Sequence, residues 1–211
     1  MIPLKDENPT KNFAVFTLLF LLLNIFVFIY GMNLPVHPSV LYASYALIPY
    51  QLTHNPIDAF PTIYTSMFMH AGIWHLGGNM LYLWIFGNNI EDVLGKFRFI
   101  LFYFVCGTIA AFGHIATDTQ SPIPMVGASG AISGILGAYL ILFPFARIKT
   151  FIFLGFFWTI ARVPAIALLL IWIGLQIWNS VSTGAGGTAW FAHIGGFVAG
   201  VFLILPFKHI R

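Results

Sequence analysis

Charge is what this sequence has least of. Only 7% of its 211 residues are Asp, Glu, Lys or Arg, where a soluble domain carries about 25%. Hydrophobic residues make up 59% and mean hydropathy is +0.90. So few charges cannot cover a water-facing surface, which excludes a soluble globular domain and leaves an integral membrane protein. The net charge of +3 comes from nine basic residues scattered in pairs and triplets. No basic patch forms, so nucleic acid is not an expected partner. Cys106 is the single cysteine, which excludes a disulfide framework and a thiolate metal site. His70, His75 and His193 have no carboxylate or thiolate to complete a metal site, and neither metal nor cofactor is expected. The first apolar run has no small-residue cleavage site and is long enough to stay as a span.

What the chain does contain is apolar runs. Six of them, at 13–30, 73–90, 97–116, 126–145, 163–178 and 189–207, read as membrane spans. The fold class expected is an all-α membrane protein, a six-transmembrane-helix bundle forming a single domain over 1–211. The connection 31–71 is apolar but holds Pro35, Pro38, Pro49, Pro56 and Pro61, so no straight span fits there. An amphipathic hairpin lying in the membrane interface is the expectation for this first loop. Segment 151–161, cut from the fifth run by Arg162 and Pro164, reads as a second interfacial piece. Residues 179–187 form a loop of small and polar residues, flexible by composition.

The nine basic residues fix an orientation. Lys5 and Lys11 precede span one, and Lys96 and Arg98 follow span two. Arg147, Lys149 and Arg162 lie between spans four and five, and Lys208 and Arg211 follow span six. The three opposite connections carry none. By the positive-inside rule both termini are expected in the cytoplasm.

Spans two, four and six then run in the same direction, and each has its polar residues near its outer end. Span two offers His75 and Asn79, four apart and so on one helix face. Span four offers Ser129 and span six His193. Gly130, Ser133, Gly134 and Gly137 on span four, and Gly196 and Gly200 on span six, recur at helical spacing and let two backbones approach closely. That approach brings His193 within reach of Ser129. A serine hydroxyl is a weak nucleophile until a base takes its proton, and histidine is the usual base near neutral pH. Spans two, four and six contain no Asp or Glu, so a Ser-His dyad is expected rather than a triad. His114, at the outer end of span three, is a rival base. Backbone N–H groups at the start of span four, with His75 and Asn79, are the donors available to an oxyanion.

Gly127-Ala128-Ser129-Gly130, His75-x-x-x-Asn79 and Ala192-His193-x-x-Gly196-x-x-x-Gly200 together resemble the three signatures of the rhomboid family of intramembrane serine proteases. Motif order and span count match as well. The resemblance implies Ser129 as nucleophile and His193 as general base. It implies an oxyanion site made by His75, Asn79, the Ser129 backbone N–H and Gly127, with Gly130, Gly134, Gly196 and Gly200 supporting the helix packing. It also implies a water-filled cavity open to the outer side and capped by loop 179–189, with single-pass transmembrane proteins as substrates. Two features depart from the family. Residues 31–71 contain no Arg to form the Trp-Arg pair of many members, and Ser133 stands where some members place a Tyr beside the catalytic His.

Two other function classes fit part of the pattern. A catalytically silent relative that binds membrane segments is expected to lack the nucleophile or the base, and this chain has both. A channel or transporter is suggested by small residues around an aqueous cavity, but the chain has no inverted repeat. The compact six-span form points to a prokaryotic plasma membrane.

Overall fold

The computed structural model describes residues 1–182 and 189–208. It is a mostly helical bundle with a small sheet at one end. The order is β1 (Ile2–Asp6), α1 (Val15–Asn33), α2 (Pro38–Tyr45), α3 (Pro49–His54), α4 (Pro56–Ala59), α5 (Thr62–Thr65), α6 (Ile73–Leu94), α7 (Lys96–Ile115), α8 (Ser129–Leu142), β2 (Arg147–Leu154), β3 (Phe157–Pro164), α9 (Ala165–Ser182) and α10 (Trp190–Phe207). Among the described residues, α1, α7, α9 and α10 are long and apolar enough to cross a membrane. This is an integral membrane protein. Helix α6 is as long but more polar, and the 14 residues of α8 rise only about 21 Å.

Helix α8 is the centre of the bundle. Every residue from Ala131 to Tyr139 is buried, so the helix has no lipid-facing stripe. Its small residues explain how that much backbone fits. A Cβ added to Gly196 of α10 would run into the Gly130 carbonyl, and one on Gly200 into the Gly134 carbonyl. One on Gly137 would strike the Phe197 carbonyl in return. The two helices therefore touch backbone to backbone, the geometry that small residues permit in lipid. On its other side Gly134 faces the Cys106 side chain of α7, so Cys106 serves as packing.

The last turns of α6, which carry Glu91 and Asp92 of the expected charged turn, anchor the N-terminal segment. Glu91, 3% exposed, accepts hydrogen bonds from the Phe16 and Thr17 N–H groups at 2.9 and 2.7 Å, and from the Thr17 hydroxyl. Helix α1 has no cap from its own Ala14, and Glu91 satisfies its first-turn donors instead. Asp92 accepts from the backbone of Lys11 and Asn12.

Two expectations change. The connection 31–71 is not a hairpin but a chain of short helices, α2 to α5, ending in a 3₁₀ turn at Ser66–Phe68. Pro38, Pro49 and Pro56 each occupy the first turn of a helix, where a missing N–H costs nothing. The prolines start helices here rather than only breaking one. The all-α reading also needs correction, because β1, β2 and β3 form an antiparallel sheet in that order. The segment expected to lie in the interface is the β2–β3 hairpin, turning at Gly155 with φ +69°. Its Phe, Ile, Thr and Trp content favours strand, and β1 comes from the polar start of the chain.

Candidate active site

The connection before α8 is stitched to the first connection. Leu47 and Met125 exchange backbone hydrogen bonds at 3.1 and 2.7 Å, and the Gly127 N–H donates to the Ser66 carbonyl at 2.9 Å. Gly127 adopts φ +120°, a conformation an L-residue rarely takes. A Cβ there would also lie 2.7 Å from His75 Nε2 and 3.4 Å from Asn79 Nδ2. The glycine thus turns the chain into α8 and leaves room for two side chains of α6. Ser129 is the first residue of α8, beside backbone N–H groups that have no partner within the helix.

Contact between α8 and α10 brings Ser129 and His193 together. His193 Nε2 lies 2.8 Å from Ser129 Oγ. The other ring nitrogen, Nδ1, lies 2.9 Å from Gln176 Oε1 on α9. Gln176 is buried, and its amide Nε2 donates to the Trp172 carbonyl at 3.1 Å. That bond decides which end of the amide faces the histidine. An oxygen facing Nδ1 requires the proton on Nδ1, which leaves the Nε2 lone pair for the Ser129 hydroxyl. Trp172 and Trp190 flank the ring, each with its centroid 6.0 Å away. Ser133 takes no part in holding it, because its hydroxyl donates back to the Ser129 carbonyl at 2.6 Å.

On the opposite side, Asn79 is buried and its Nδ2 donates to His70 Nε2 at 2.9 Å. One amide hydrogen is thereby fixed and the second is left over. His70 and His75 meet edge to face with centroids 5.0 Å apart. The Ala71 N–H approaches His75 Nδ1 at 3.5 Å, which favours a proton on the Nε2 that faces Gly127.

Ser129, His193, His75, Asn79, Gly127 and Gln176 line one cavity of about 540 Å³. His114 lines it too, with a buried Nδ1 that has no partner among the described residues. Asp118 is the one carboxylate among the described lining residues. Part of the expected cap, 183–188, lies outside the described residues.

Sequence reasoning missed Gln176 and His70 as members of the site. A lone glutamine in an apolar span was a usable signal, because an amide at that depth needs a partner. His70 was legible only as one of three histidines weighed, and set aside, for a metal site.

A serine and a histidine hydrogen-bonded across two helices, within a predominantly helical membrane bundle, define the class of site. Residues 58–209 match the family model of the Rhomboid domain. The chain belongs to the rhomboid family. It is 33% identical over 146 residues to Rhomboid protein 1, mitochondrial, of Saccharomyces cerevisiae, covering 66% of this chain and 40% of that protein. Over 138 residues it is 36% identical to Rhomboid protease GluP of Bacillus subtilis, covering 65% and 24%. RHOMBOID-like protein 5 of Arabidopsis thaliana is 31% identical over 141 residues, covering 66% and 41%. The chain spans less than half the length of these relatives.

Proposed function

We propose that this chain is an intramembrane serine endopeptidase that cleaves single-pass transmembrane proteins through an acyl-enzyme on Ser129. In this reading His193 Nε2 takes the hydroxyl proton as Ser129 Oγ attacks the scissile carbonyl carbon. The carbonyl electrons move to oxygen, which accepts hydrogen bonds from the Ser129 N–H, His75 Nε2–H and the free Asn79 amide hydrogen, in the space that Gly127 leaves open. Collapse of that intermediate breaks the C–N bond, and His193 returns its proton to the leaving amine. Water, deprotonated by the same nitrogen, then attacks the acyl carbon, the bond to Ser129 Oγ breaks, and His193 returns the proton to Oγ.

The observation that carries this reading is the bond pair on His193, 2.8 Å to Ser129 Oγ and 2.9 Å to Gln176 Oε1. The second bond gives the base its tautomer without a carboxylate, and Gln176 acts here as a positioning residue. Support for the packing role of Gly130, Gly134, Gly196 and Gly200 is the backbone contact between α8 and α10.

The rest of the reading is architectural. The domain is taken as 1–211, with α6 and α8 completing six spans and both termini in the cytoplasm of a prokaryotic plasma membrane. Support comes from the nine basic residues, which all precede span one, follow span six or lie in two alternate connections.

The test is covalent labelling of the purified protein by a fluorophosphonate, with cleavage of a model transmembrane substrate. Labelling at Ser129, and loss of both activities in Ser129→Ala, is the expected result. Full cleavage by Ser129→Ala, or no labelling of the parent protein, overturns the reading in favour of a silent binder or a channel.

A further inference from the structure

The β2–β3 hairpin ends in an apolar finger that none of the described residues covers. Ile148 belongs to the core and Val163 packs against it, but no residue from Phe151 to Ile160 does. From Phe153 to Ile160 every residue is exposed, with Phe156 at 101% and Phe157 at 79%.

The register makes this more than a few stray apolar residues. Phe151 pairs with Ile160 and Phe153 with Trp158, while Leu154 pairs with Phe157. Paired residues share a face and neighbours along a strand alternate. One face of the finger therefore carries Phe151, Phe153, Trp158 and Ile160, and the other Ile152, Leu154 and Phe157, with Thr159 its one polar residue. An ordinary half-buried hairpin has one apolar face and one polar face. This one is apolar on both, so a single covering layer leaves the other face in water. It needs an apolar medium around the whole tip.

Charge marks where that medium begins. Just below the finger, Lys149 pairs with Arg162 and with Lys5 of β1. Arg147 follows two residues further down, and the carboxylates at this end of β1 are Asp6 and Glu7. Lys149 and Arg162 both form ion pairs with Glu7, at 3.6 and 3.0 Å. Four cations against two carboxylates leave the base of the apolar tip net positive, which suits lipid phosphates.

The geometry points to insertion of this finger, tip first, into the bilayer interface, in the leaflet opposite the mouth of the active-site cavity. The side follows from the chain, because Ser129 opens α8 and the hairpin leaves from its far end. The depth follows from length and hydrogen bonding. Three steps from the Phe151 pair to the Leu154 pair span about 10 Å, which matches the roughly 5–10 Å reached by interfacial anchors. Deeper insertion is excluded. Among the described residues the outer edge of β3 has no neighbouring strand, and β1 pairs with β2 only as far as Phe151, so free N–H and C=O groups would enter hydrocarbon.

The experiment places an environment-sensitive fluorophore on Phe156→Cys in the full chain, reconstituted singly in phosphatidylcholine–phosphatidylglycerol nanodiscs. Cys106 is buried and stays unlabelled in the parent protein. Leu154→Cys is the second tip site, and the exposed Lys11→Cys is the water-facing control. The expected result is blue-shifted emission from both tip sites, quenched most by lipids carrying their quencher near the headgroup. Emission matching the Lys11 control overturns the proposal. So does a blue shift that lipid quenchers leave untouched, or one that appears only when two copies share a disc, since each means protein covers the finger. The outcome is independent of catalysis, because Ser129→Ala must give the same spectra.

Discussion

Gln176 Oε1 on α9 and His193 Nδ1 on α10 lie 2.9 Å apart, and this bond joins the proposed base to a helix outside the Ser129–His193 pair. The tautomer of His193 is thereby tied to the seating of α9. Gln176→Leu keeps the side-chain volume and removes the acceptor. The ring is then free to rotate or to carry its proton on Nε2, where it cannot accept from Ser129. We expect kcat on a transmembrane substrate to fall at least about tenfold, a loss of about 1.4 kcal/mol of transition-state stabilisation. KM should change little, and the rate of fluorophosphonate labelling should fall in parallel. A rise in KM with kcat unchanged would assign Gln176 to substrate binding instead.

The α6 side of the cavity makes a separate prediction. His75 and Asn79 face the Gly127 turn, and Asn79 is oriented by His70. If they donate to an oxyanion, loss of either costs rate and not affinity. His75→Ala and Asn79→Ala are each expected to lower kcat by about 10²–10³-fold. His70→Phe removes only the orienting bond and should cost less than either. Equal losses at all three positions would point to a general collapse of the cavity, which a thermal unfolding measurement on each variant detects.

How much of this was legible in the sequence depended on whether one residue carried the signal or a relationship did. Ser129, His193, His75 and Asn79 stood out because polar groups in apolar spans are few, and the α8–α10 contact was readable from glycines four apart. The sheet was not readable. A strand usually announces itself by alternation, and a hairpin apolar on both faces has none, so 151–161 looked like any other apolar segment. In the first connection the prolines were visible, but whether a proline breaks a helix or begins one depends on the residues that follow it. Gln176 was visible as a residue. Its partner was not, because nothing in the sequence sets the rotation of α9 against α10.

The glycines of α8 and α10 predict a sharp contrast. Gly200→Ala places a methyl group where the Gly134 carbonyl sits, and both are backbone-anchored, so the helices must separate. Overpacking of this kind costs about 1–3 kcal/mol, and separation also draws His193 from Ser129. We expect a lower unfolding temperature and slower fluorophosphonate labelling together. Gly77→Ala on α6 is the control, because a Cβ there meets nothing within 4 Å. It should be neutral, or stabilising by up to about 1 kcal/mol from helix propensity. Equal destabilisation by both would refute close α8–α10 contact as the cause.

The Asp6–Tyr139 pair predicts a pH dependence at the other end of α8. Burial raises the Asp6 carboxyl above its ordinary range, against hydrogen bonds from the Asn8 N–H, the Tyr139 hydroxyl and the Asn89 amide. The last two measure 2.7 and 2.5 Å. A carboxyl whose folded value is raised stabilises the fold most when protonated. That contribution is complete below its unfolded value of about 3.9, and it is lost as pH rises through the higher folded value. Above that window Asp6 is a half-buried anion that depends on its donors. Tyr139→Phe removes one of them. The loss should be about 1.5–3 kcal/mol when the acceptor is charged and about 0.5–1.5 kcal/mol when it is neutral. Thermal unfolding of parent and Tyr139→Phe should therefore show a gap that widens from acid to neutral pH. A gap of constant size would mean that Asp6 does not change its charge over that range.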